Sequence, residues 1–202
     1  GQQHYHPHDE RIEADYSQAA FYLVADTLGS EVTLRDLNPH SKQGDCAILD
    51  FLVSMGASWS FNEEGLIIKA DELNAIDIDA SQQPDLMPVM SVACAYAKGV
   101  SHIYNARRLR LKECDRLEAI AKMLKKAGIE VEETEDSLTI TGGQVRGCHV
   151  TTMHDHRMAM SAAVLALKAE GNIVIDDYEC VKKSYPDFFL HYKKLGGNTH
   201  EC

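Results

Sequence analysis

Asp15, Asp85 and Asp155 stand 70 residues apart, and each leads into an apolar stretch rich in alanine or methionine. A fixed period of this kind marks one supersecondary unit copied and packed against itself, so it restricts the fold more than any single motif. The correspondence continues inside the period. Gly44 and Asp45 lead into a second helical pattern ending at Met55, Gly56 and Ala57. Cys114 and Asp115 lead into one ending at Ala127, Gly128 and Ile129, and Pro186 and Asp187 into one ending near Leu195 and Gly196. Lys42, Lys112 and Lys183 each sit just ahead of a second helix. Three copies, approximately 9–74, 75–146 and 147–200, account for nearly the whole chain.

The middle copy reads most clearly. Pro84 and Asp85 precede an apolar run over 86–98, with Asp85 placed as N-cap and Gly99 as the stop. Val100, His102 and Tyr104 then alternate with Ser101, Ile103 and Asn105 as a short strand. From Asp115, the positions Leu117, Ile120, Ala121 and Leu124 follow helical spacing, and Lys125, Lys126 and Gly128 make a helix end. Two strands follow over 129–133 and 137–141, as they do over 58–62 and 66–70 in the first copy. A further strand opens each unit, at 9–14, 75–79 and 147–151. The unit is therefore βαβαββ. Because the helices are apolar over much of their surface, the pattern predicts one α/β domain with helices inside and three sheets outside.

At 202 residues and 45% hydrophobic content, the chain can bury a substantial core as a single domain. Its formal charge of -11 repels polyanions and excludes nucleic acid as a natural partner. No run of about 18 apolar residues predicts a membrane helix, and no secretory leader is visible. Six cysteines without any C-x-x-C pair fit a reducing cytoplasm better than a disulfide framework. His4, His6 and His8 alternate and would share one strand face, but no metal site is assigned there.

Within this acidic chain, Arg107, Arg108, Arg110, Lys112 and Arg116 form a dense cationic run suited to an anionic ligand. Arg157 adds a cation in a first helical turn, where it opposes the macrodipole unless an anion compensates. If the units pack about a pseudo-threefold axis, their helix starts face one end. Lys112, Arg116, Arg157 and Lys183 then converge there with Asp85 and Glu113, on a surface suited to phosphate and carboxylate groups.

The run Leu111-Lys112-Glu113-Cys114-Asp115-Arg116-Leu117 resembles the Val-Lys-Glu-Thr/Ser-Asp-Arg motif of the EPSP synthases (3-phosphoshikimate 1-carboxyvinyltransferases). Asp155-His156-Arg157-Met158-Ala159-Met160 is similar to that family's Asp-His-Arg-Met-Ala-Met segment. Pro84-Asp85, 43–45 and 183–189 resemble three further segments in the same order. The resemblance implies one domain of the enolpyruvyl transferase fold. It also implies transfer of the enolpyruvyl group of phosphoenolpyruvate to the 5-hydroxyl of shikimate 3-phosphate, with no metal or organic cofactor.

By the same resemblance, Asp85 is the base on the 5-hydroxyl and Glu113 a proton donor to the methylene carbon of phosphoenolpyruvate. Lys112 contacts shikimate 3-phosphate, Arg116, Arg157 and Lys183 bind phosphoenolpyruvate, and His156 lines the site. Cys114 stands where the family has serine or threonine, and Arg108 where some members have an asparagine. The match covers only a C-terminal portion of the family. The partner it implies is the missing N-terminal half, without which the chain is expected to be inactive. Two alternatives stay open: a noncatalytic anion-binding or pairing half-domain, and a related UDP-N-acetylglucosamine enolpyruvyl transferase.

Overall fold

The computed structural model describes residues 3–200. Three helices form its centre: α1 (Tyr16–Thr27), α3 (Met87–Tyr96) and α5 (His156–Leu165), one from each unit. Each packs against the other two. Every residue of α5 is buried, and nearly every residue of α1 and α3. None of these helices keeps a polar stripe, so the core surrounds them on all sides.

The second helices, α2 (Ile48–Ser54), α4 (Arg116–Lys126) and α6 (Phe188–Lys194), are half-buried. In α4, Leu117, Ile120 and Leu124 face inward, while Lys125 and Lys126 complement its C-terminal dipole. Asp15 and Asp155, at the repeat positions that match Asp85, cap their helices, as does Asp115 ahead of α4, accepting from the amides of Ser17, Arg157 and Glu118 respectively.

Sheets cover the outside, again one per unit. The middle unit is complete: β3 (Asp77–Asp79), β4 (Val100–Tyr104), β5 (Glu130–Glu133) and β6 (Leu138–Thr141) lie in the order β3-β4-β6-β5. β3 runs parallel to β4, while β6 is antiparallel to both β4 and β5. Gly142, just beyond β6, passes so close to the core that a Cβ there would fall 1.7 Å from the Ala97 carbonyl oxygen. The first sheet holds the hairpin β1 (Ser58–Asn62) and β2 (Gly65–Lys69), and the third holds the parallel pair β7 (Arg146–Val150) and β8 (Glu170–Ile175).

Three local expectations need correction. The strand at 9–14 does not form, and with it goes the shared face of His4, His6 and His8. Its neighbour is reduced to a single bridge between Leu34 and Leu66. Here the buried Asp26 carboxylate does the work of a ladder, accepting from Val32 N at 2.9 Å and Ile68 N at 2.8 Å. The third unit, within the described residues, has no closing strand pair after α6. Finally, Asp85 does not cap α3. Leu86 holds that position without a side-chain bond, because the Asp85 carboxylate is drawn toward cations.

Candidate active site

The shared orientation of the units brings three segments to one end of the helix core. The turn before α3 supplies Asp85, with Leu86 N donating to Gln83 O at 3.1 Å. A 3-10 turn over Arg107–Leu111 delivers Lys112, the short link that follows carries Glu113, and α4 opens on Arg116. The start of α5 carries His156 and Arg157, and a second 3-10 turn, Tyr178–Lys183, ends on Lys183.

Arg116 is the hub, with 1% of its side chain exposed. Its Nε donates to Asp155 Oδ2 at 2.7 Å, and its Nη1 to Asp85 Oδ1 at 2.7 Å. Its Nη2 donates to Glu113 Oε2 at 2.6 Å and to Asp155 Oδ1 at 3.3 Å. One guanidinium thus ties together carboxylates from two units. Its planar fork suits it to hold them at fixed angles, which a lysine cannot do.

Around this hub, Lys112 Nζ lies 2.9 Å from Asp85 Oδ1, and Arg157 Nη2 lies 3.4 Å from Asp85 Oδ2. Lys183 Nζ lies 2.8 Å from Glu113 Oε1 and, at 57% side-chain exposure, forms the outer rim. All seven residues proposed from sequence meet in this region. Lys112, Arg116, Arg157 and Lys183 face Asp85, Glu113 and Asp155, which leaves one positive charge in excess. A groove of about 540 Å³ between α1, 32–37 and 184–195 takes in none of the seven.

The charges set the protonation states. Burial pushes the Asp85 carboxyl up, but the Lys112 hydrogen bond and the charges of Arg157 and Arg116 outweigh it and hold Asp85 below its ordinary value. Burial also raises Glu113. Lys183, backbone hydrogen bonding and Arg116 overcome this and bring it down to about 2. His156 is shifted down, because burial disfavours its cationic form more than Asp155 favours it. Its Nδ1 is buried without a hydrogen-bond partner and lies 3.9 Å from Asp155 Oδ1. Burial, reinforced by the Asp155 charge, pushes the Cys114 thiol up to about 12, so it is no nucleophile here.

Two sequence readings change. Arg107, Arg108 and Arg110 do not join the cluster. Arg107 pairs with Glu135, Arg108 donates to Ser81 O, and Arg110 is absorbed by Asp115, Glu133 and the carbonyls of Thr134 and Glu135. Asp155, in contrast, opens the family-like segment with His156 and Arg157 but carries no expected role of its own in the site. It is fully buried and is Arg116's deepest partner. The usable signal was its place directly before His156-Arg157, but the matching positions of Asp15 and Asp85 masked it.

The family model described as EPSP synthase (3-phosphoshikimate 1-carboxyvinyltransferase) matches residues 1–191. The 3-phosphoshikimate 1-carboxyvinyltransferase of Clostridium botulinum (strain Eklund 17B / Type B) is 46% identical over 204 residues, covering 100% of this chain and 47% of that protein. The enzyme of the same name from Clostridioides difficile (strain 630) is 45% identical over 205 residues, covering 100% of this chain and 46% of that one. Among solved structures, EPSP synthase from Acinetobacter baumannii superposes with a TM-score of 0.79 at 29% identity, over 93% of this chain and 47% of that one. The enolpyruvyl transferase NikO from Streptomyces tendae shares the fold, with a TM-score of 0.74 at 19% identity over 93% of this chain and 44% of that one. The chain spans about half the length of the curated relatives it matches. With a family model covering nearly all of it and the motif residues gathered at one surface, the chain belongs to the EPSP synthase (3-phosphoshikimate 1-carboxyvinyltransferase) family.

Proposed function

We propose that this chain supplies one half of a site that transfers the enolpyruvyl group of phosphoenolpyruvate to the 5-hydroxyl of shikimate 3-phosphate and releases phosphate. The observation that carries this reading is the convergence of four cations on Asp85 and Glu113, with Asp155 as the buried anchor of Arg116. Substrates bearing phosphate and carboxylate groups compete for those same cations.

Asp85, held ionised, accepts the proton of the attacking hydroxyl. Glu113 gives a proton to the methylene carbon as the hydroxyl oxygen bonds to its neighbour, and takes a proton back from the resulting methyl group as the bond to phosphate breaks and the double bond reforms. Its depressed pKa opposes donation while Lys183 and Arg116 bind it. Moving Lys183 onto a substrate oxyanion removes its largest stabiliser, so substrate binding itself arms the acid. Lys112 takes the shikimate 3-phosphate side, and Arg157 and Lys183 the phosphoenolpyruvate side. Arg116, with all three nitrogens on carboxylates, orients the base and the acid and reaches phosphoenolpyruvate through its remaining Nη1 hydrogen. His156, neutral by burial, lines the floor.

The partner in this reading is the other half of the full-length enzyme, which closes over the cluster. The compartment is the cytoplasm, in keeping with five free thiols among the described residues. No helix among the described residues is long and apolar enough to cross a membrane. Phosphate release from both substrates tests the proposal. The full-length enzyme turns over, the isolated chain does not, and Asp85→Asn abolishes turnover in the full-length enzyme. Full activity of Asp85→Asn, or of the chain alone, overturns it.

A further inference from the structure

Each unit places a left-handed, non-glycine residue after its middle extended segment: Asp36 (φ 62°), Asn105 (φ 55°) and Asp177 (φ 47°). Each reaches back to the segment entering that unit's first helix. Asp36 pairs with Arg11, Asn105 Nδ2 donates to Asp79 Oδ2 at 3.1 Å, and Asp177 pairs with His154. In the first two units the anchor lies several residues ahead of Asp15 or Asp85, whereas His154 directly abuts Asp155. The third unit differs again in its backbone, because Met153 (φ 53°) and His154 (φ 59°) are both left-handed.

Left-handed backbone crowds Cβ against the carbonyl that follows, so two such residues in succession persist only where their surroundings hold them. On the inner side, Thr152 is fully buried, Met153 packs on the core, and Asp155 N donates to Thr152 O at 3.1 Å. On the outer side stands Asp177, which also opens the 3-10 turn ending at Lys183. The pair therefore joins the segment carrying Asp155 and Arg157 to the segment carrying Lys183.

We propose that His154 and Asp177 form a positioning clamp, which fixes the turn ahead of Asp155 and so sets the direction of Asp155 and Arg157 relative to Lys183. Neither residue is assigned a contact with the reacting atoms. The kinetic readout of the clamp rests on the function proposed above, but its backbone readout does not.

The test uses the full-length enzyme carrying His154→Asn, Asp177→Asn or both, since asparagine tolerates left-handed backbone. Each single change raises the KM for phosphoenolpyruvate about three- to fivefold, the range open to an exposed side-chain pair, with kcat altered less than about twofold. Hydrogen exchange at the Arg157 amide, which donates to Asp155 Oδ1 at 2.8 Å, speeds by a similar factor while α3 amides keep their rates. The double variant is no worse than either single one. His149→Gln, which breaks the neighbouring His149–Asp176 pair, leaves KM unchanged.

Additive losses in the double variant, an unchanged Arg157 exchange rate, or an equal effect of His149→Gln overturn the clamp. So does a fall in thermal midpoint without a change in KM. If the unmodified enzyme releases no phosphate, the functional reading fails by itself, and the exchange comparison still decides the clamp.

Discussion

Replacing Asp155 by asparagine separates a helix cap from a buried counter-charge. Asparagine caps a helix about as well as aspartate, so the α5 cap alone predicts little loss. The ion pair predicts much more. Asp155 is fully buried and Arg116 has 1% of its side chain exposed, and two guanidinium nitrogens donate to this carboxylate at 2.7 and 3.3 Å. Breaking a buried pair from one side costs about 3–5 kcal/mol, since the remaining charge loses its compensation. Asp85 and Glu113 still balance Arg116, which places the expected loss near the lower end, about 3 kcal/mol. For a domain of this size that is a fall of roughly 6–12 °C in thermal midpoint.

The internal control is Asp15→Asn, at the same position of the first unit. There the exposed carboxylate caps Ser17 N at 2.8 Å, so the change is expected to stay within about 0.5 kcal/mol. Thermal and urea unfolding followed by circular dichroism measure both variants. Equal losses for the two, or less than about 1 kcal/mol for Asp155→Asn, refute the claim that Asp155 serves chiefly as the counter-charge of Arg116.

The depressed Glu113 pKa makes a pH-dependent contribution to stability, fully present above its ordinary 4.5 and lost as pH falls toward about 2. Urea midpoints of the native protein between pH 6 and 2 should therefore drop more steeply than those of Glu113→Gln, and parallel curves would contradict the assignment. Lys183→Met removes the exposed cation from Glu113 and raises its pKa. In the full-length enzyme it should raise the KM for phosphoenolpyruvate at least about tenfold, since a charge-assisted contact is lost. Gly142→Ala forces a methyl group toward the Ala97 carbonyl and should cost at least about 1–3 kcal/mol by denaturant titration, whereas an unchanged midpoint would show that this close approach is relaxed.

The period of 70 residues made the architecture legible, because caps and stops recur at fixed offsets and the apolar runs between them have no polar face. Asp15, Asp115 and Asp155 each cap the helix they lead into, and the whole middle unit forms in the expected order. Position in a repeat says nothing, however, about which partner a side chain meets across units. That is why Asp85 read as a cap and Asp155 did not read as the partner of Arg116. A local strand signal likewise fails at 9–14, where the neighbouring segment offers a single bridge and Asp26 has taken two of the nearby amides. The cationic run overstated the site because side chains in a loop answer to the nearest carboxylates, as Arg107 and Arg110 do.

The three central helices have a consequence for how this domain can come apart. Because α1, α3 and α5 are buried almost all round, removing any one unit would lay two largely apolar cylinders open to water. Repeats that stack in a row can fray from an end, losing one interface at a time. A closed ring of three has no end, so partial unfolding offers no cheap intermediate. Such a domain should melt as one cooperative block, and a chain cut between its units should aggregate rather than persist as a shorter folded piece.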